Sequence, residues 1–132
     1  TSDGADIAWA AAGSGLQSQM VTGTRLASAG AGTQNITGAG FAPIAAIVNA
    51  FETSTPGKAA SWGVIDSDDA DYVMQQGEGG IYLKNANRIA LVSDHTADDI
   101  NGAGTLTADG IDIVWALTGG GQDISYIILF LG

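Results

Sequence analysis

The chain has 132 residues, with 14 acidic side chains against four basic ones (Arg25, Lys58, Lys84, Arg88), no cysteine and a net charge of −10. That length suits one domain, large enough to bury a core without metal or disulfide. Four scattered cations cannot neutralise a run of phosphates or hold an acidic chain to an anionic bilayer, so nucleic-acid and membrane partners are not expected.

Residues 1–18, TSDGADIAWAAAGSGLQS, are rich in Ala, Gly and Ser around the single pattern Ile7-Ala8-Trp9. Two readings stand side by side. One is a frayed terminus; the other is an extended N-terminal arm whose Ile7 and Trp9 dock on a neighbouring subunit, because an isolated Trp is costly to leave in water. No signal-peptide pattern opens the chain and no apolar run reaches about 18 residues, so neither a leader nor a membrane span is expected.

From residue 19 to 132 the sequence reads as a single β-domain of about eight to ten short strands. The first, 19–28, sets Met20, Thr22, Thr24 and Leu26 on one face. A turn at 29–32 leads to a strand at 33–37, and a second turn at 38–43 leads to strands at 44–52 and 60–66, with Pro56-Gly57 in the loop between them. Strands follow at 70–76, 80–85 and 88–94. Residues 95–104, HTADDINGAG, read as a polar loop before TLTADG, where Asp109-Gly110 is a hairpin turn. The final pair is IDIVWALTG and DISYIILFLG, joined through Gly119-Gly120-Gly121. In the last strand Ile124, Tyr126, Ile128 and Phe130 share one face and Ile127, Leu129 and Leu131 the other. A strand apolar on both faces is covered twice or lies in a subunit interface. The pattern as a whole, with Gly-rich turns and no long helix, predicts an all-β, antiparallel β-sandwich, in its narrower form a jelly roll.

Residues able to carry chemistry are few. Asp66, Asp68, Asp69 and Asp71 form the densest acidic run, and alternating carboxylates on a loop suit calcium. The run is not an EF-hand, since Asp71 and Gly77 stand where that loop needs Gly and Glu; the other reading is a solvated turn. His95, the single histidine, follows Ser93 and Asp94 directly, and neighbours on a strand point to opposite faces and cannot form a triad. The repeated Gly-x-Gly pairs lack a third glycine and a following helix, which removes a dinucleotide fingerprint. No catalytic set is expected, and no cofactor beyond the calcium reading. Trp62 and Trp115, at alternating strand positions, are expected in the core. Tyr72 and Tyr82, flanked by polar residues, are the candidates for an exposed ligand surface.

The order VTGT, GTQNITGAGFAPIAAIV, SWGVID, ADGIDIVWA and ISYIILFLG resembles a group of small bacteriophage virion proteins. These run through a Gly-Thr strand, a Gly-Phe-x-Pro strand, a Trp-Gly strand, an Asp-Gly-aromatic strand and a closing apolar strand with Tyr. The resemblance covers about residues 20–132, and departs from the pattern at Ile44, where a basic residue is common, and at Ile111, where an aromatic is usual. It implies a structural role on the outer surface of the virion. The expected form is a capsid decoration (cement) protein that binds the major capsid protein and itself, as a homotrimer whose interface uses Ile127, Leu129 and Leu131. A carbohydrate-binding module of a tail or head fibre, using Tyr72, Tyr82 and the 66–71 loop, is the alternative.

Overall fold

A computed structural model of the chain describes residues 15–53, 59–68, 71–77, 80–85, 88–93 and 99–132. Ten strands follow one another: β1 (Ser18–Arg25), β2 (Gly32–Thr37), β3 (Ala45–Glu52), β4 (Ala60–Asp66), β5 (Tyr72–Gly77), β6 (Gly80–Asn85), β7 (Ala90–Ser93), β8 (Asp99–Thr107), β9 (Gly110–Thr118) and β10 (Ile124–Leu131). They form two antiparallel sheets. Sheet A has the order β1-β10-β3-β4-β5-β6 and sheet B the order β2-β9-β8-β7. The all-β sandwich expected from the alternation is therefore present.

The strand order has two parts. β10 lies between β1 and β3 while β9 pairs with β2, so the first three strands wrap around the last two. The remainder, β3 to β6 and β7 to β9, consists of sequential neighbours, which are meanders. A jelly roll is built from two Greek keys of eight strands, and this order lends that narrower expectation no support.

Between the sheets lies one apolar cluster built on Trp115, Phe130, Ile111, Ile113, Ile128 and Val48, each buried. The inner face of β10 is as its alternation predicts: Ile124, Tyr126, Ile128 and Phe130 are all at most 4% exposed. Each such large apolar side chain contributes about 1.5–3 kcal/mol by leaving water.

Three local differences from the sequence reading have physical causes. Residues 27–29 form a 3-10 turn instead of ending the first strand. The Ala27 N–H donates to Asp123 Oδ1 at 2.7 Å, and Gly30 at φ 67° reverses the chain. The hairpin after β8 turns on Ala108 and Asp109, with Gly110 already opening β9 opposite Thr107. Lastly, 99–104 is not loop but the first half of β8, paired with β9 from Asp99↔Thr118 onward. Its glycines are strand residues that make room. A Cβ on Gly102 would lie 2.6 Å from Ile113 Cγ2, and one on Gly104 2.6 Å from Ile89 Cδ1. Glycine inside a strand marks such close approaches as well as turns.

Candidate assembly surface

Strands present alternate residues to opposite faces, and cross-strand partners share a face. The outer face of sheet A can therefore be read from its register. One row runs Met20–Leu129–Ile47–Val64–Tyr72, and the next Thr22–Ile127–Asn49–Trp62–Met74. Phe51 flanks them on β3 opposite Ala60, and Leu131 on β10 opposite Ala45. Met20, Ile47, Val64, Tyr72, Trp62, Met74 and Phe51 are all exposed, Met20 to 61%. Ile127, Leu129 and Leu131 are half-buried because β10 is flanked on both sides. The two rows contain no charged side chain. Asp66, beside Ala45 at the rim, is the acid nearest them by register.

Sheet B is different. Its outer face carries Thr33, Asn35, Thr105 and Asp112, and among the residues whose burial is described Val114 is the one large exposed apolar side chain there. Asn35 Nδ2 donates to Asp112 Oδ1 at 2.6 Å across that face. One side of the sandwich is polar and the other is an apolar field five strands wide. Contiguous exposed apolar surface of this kind marks an interaction site.

Trp62 is a correction. It is 41% exposed on the outer face, whereas Trp115 is 1% exposed between the sheets. In β4 the residues facing inward are Ser61, Gly63 and Ile65. Gly63 is small because the Ile89 backbone carbonyl occupies the place of its Cβ. The strand thus turns its bulk outward, the reverse of the usual arrangement, and residue size gave the wrong side. With Tyr72 on β5 and Phe51 on β3, Trp62 forms a diagonal of three exposed aromatics, each one strand over and one alternate position along. Diagonal neighbours of that type are about 7–8 Å apart.

The acidic run is divided. Asp66 is exposed, and its Oδ1 accepts the Asp68 N–H at 2.9 Å to close a turn. Asp71 is 5% exposed, and its Oδ2 accepts the Gly104 N–H at 3.2 Å inside the molecule. Among the described residues no three acidic or histidine side chains converge as a metal set. Tyr82 lies in β6 opposite Gln75, and Tyr72 lies opposite Asn85, so the two tyrosines are not register partners. Ile7, Trp9, Asp69 and His95 lie outside the described residues.

Inside the β1–β2 corner is a polar network that the sequence reading did not single out. Trp115 Nε1 donates to Gln34 Oε1 at 2.9 Å, and Gln34 Nε2 donates to Tyr126 Oη at 3.0 Å. The Trp115 and Tyr126 rings stack with centroids 6.4 Å apart. Gly23 on β1 leaves the space that the Tyr126 hydroxyl fills. Burial raises the Tyr126 pKa above its ordinary value of 10.0, partly opposed by the Arg25 charge and the Gln34 hydrogen bond. Gln34 Nε2 also reaches the Thr24 carbonyl at 3.4 Å, so the network joins β2 and β9 of one sheet to β10 and β1 of the other. Comparisons with protein-family models, with curated proteins and with solved structures return no match to this chain.

Proposed function

We propose that this chain is a non-enzymatic structural protein of a bacteriophage virion, a capsid decoration protein that binds the major capsid protein on the outside of the head and stabilises it as a symmetric oligomer. The observation that carries the reading is the apolar outer face of sheet A, whose two central rows hold no charged side chain, on a molecule of net charge −10. Such a molecule is organised around a surface for meeting other proteins. The half-buried outer residues of β10, Ile127, Leu129 and Leu131, sit within that face and support the reading. The virion context comes from the sequence resemblance over residues 20–132.

The stretch ahead of β1, with Ile7 and Trp9, supplies the contact to the shell. Gln17 exchanges two backbone hydrogen bonds with Gly132, at 2.8 and 2.9 Å. The sheet therefore begins there, and a deletion that spares the fold removes residues 1–14 only. Added back to heads that lack the protein, the full chain should raise their thermal stability. The shortened chain should fold alike and bind less.

The deciding experiment is the copy number in purified virions, by quantitative mass spectrometry against the major capsid protein. A simple ratio to the capsid subunit supports decoration. A handful of copies points to a fibre, and absence from virions sinks the reading.

A carbohydrate-binding fibre module is the second reading, favoured by one specific observation. The Phe51–Trp62–Tyr72 diagonal offers ring faces on which sugar rings stack. Binding on a glycan array that is lost with Trp62→Ala would support it.

A further inference from the structure

We infer that the outer face of sheet A is where two copies of this chain pair, face to face, about a two-fold axis. This rests on the assembly reading above, and goes beyond it by naming the occupant and its symmetry.

Charge selects the kind of partner. At a net charge of −10, two copies repel over most of their surfaces. The two central rows of sheet A carry no charged side chain, so acids are not brought into contact there and no ion has to be stripped of water. A basic partner would find its match on the acidic remainder of the surface and gain nothing from this neutral field.

Shape and position select the symmetry. A ring of head-to-tail contacts needs two different complementary patches on each copy, whereas a two-fold contact needs one patch that matches itself. Outside the face, the large exposed apolar residues among those described are Leu16, Leu26, Ile44 and Val114. Leu16 and Ile44 precede β1 and β3 at one end of the same face. Leu26 lies just before the 3-10 turn, and Val114 has only Thr33, Ala103, Asp112 and Ala116 as neighbours on its face, none of them large and apolar. No second field of comparable extent exists on the described surface, so the face is its own complement. The two-fold pair stands as the alternative to the three-fold cluster expected from the sequence.

Size agrees. Five strands about 4.8 Å apart, each offering three or four outward positions about 6.8 Å apart, give roughly 500 Å² per copy, a count that takes in the flanking positions of Asp66 and Gln76 at the rim. A pair then buries roughly 1,000 Å², the lower bound of a specific interface. The contact is a reversible one. Stacked sheets lie about 10 Å apart, and Trp62, in the second row of the fourth strand across, is a large aromatic anchor of the kind that dominates such contacts.

Sedimentation velocity on the full chain, up to about 100 μM, tests this. The expected result is a monomer–dimer equilibrium that tightens with added salt as the repulsion of the acidic surfaces is screened. Trp62→Asp should weaken it by about 100-fold or more with an unchanged melting profile. Met20→Lys, at the far side of the face, should weaken it too, and keeps the test open if the first variant misfolds. Val114→Asp on sheet B should leave it intact. A chain that stays monomeric, a dimer indifferent to both Trp62→Asp and Met20→Lys, or a trimer as the smallest oligomer would overturn the pairing. The copy number in virions is measured independently, so the pairing can fail while the decoration reading stands, and the reverse.

Discussion

Gln34 takes the Trp115 indole N–H on its carbonyl and gives an amide proton to the Tyr126 hydroxyl, so a single side chain on β2 ties the inner face of one sheet to that of the other. Replacing it with leucine would leave the buried Trp115 N–H without its acceptor, at a cost of about 1–3 kcal/mol. Urea unfolding of Gln34→Leu should show that loss without a change in the slope. The Tyr126 pKa is raised above 10.0 chiefly by burial, so the folded state holds its phenolic proton more tightly than the unfolded chain does. The corresponding stability is fully present below pH 10 and is lost as pH rises through the folded pKa. Unfolding followed by circular dichroism across that alkaline range should show the decline, and Tyr126→Phe should flatten it. At this scale the sequence was least informative. Trp62 and Trp115 both stand in alternating apolar strands, and only the carbonyl pressed against Gly63 reveals which one faces water. Gln34 looked like an ordinary polar strand residue, because its two partners lie 81 and 92 positions away.

The elements themselves were far more legible. β9 alternates large inward residues with smaller or polar ones over nine residues, β10 is a short apolar run, and both are bounded by turn residues, which are strong strand signals. β8 was seen only from Thr105 onward, since Gly102 and Gly104 imitate turn residues while serving as clearances for packed side chains. The pairing of β10 with β1 and β3 had no local signature at all; it follows from tertiary wrapping, with only the doubly apolar pattern as a hint. These clearances differ in how much they can yield. An added methyl at Gly102 meets Ile113 Cγ2 and the Trp115 ring, buried side chains that must repack but are not backbone, and Gly102→Ala should cost about 1–3 kcal/mol. At Gly63 the obstacle is the backbone of Ile89, one residue before β7. Gly63→Ala should therefore cost more than about 3 kcal/mol or abolish folding. Denaturant midpoints for the two variants, measured together, should fall in that order.

For the molecule as a whole, the unequal outer faces decide its behaviour. Sheet B, with Asn35, Thr105 and Asp112 outward, offers water a polar face; sheet A concentrates the apolar surface on one side. The position of β10 adds an element of time. Before residues 124–131 leave the ribosome, β1 has no hydrogen-bonded neighbour in sheet A, and β3 has one side open. A chain ending at residue 122 should thus fail to fold, and a synthetic peptide of 123–132 added in trans should restore β-structure by circular dichroism. The strand that completes the core also brings Ile127 and Leu129 into the outer rows, between β1 and β3. Synthesis and surface are coupled by that double duty: an interrupted chain lacks both the strand that completes sheet A and the apolar residues that strand carries to the outer face, so fold and surface stand or fall together.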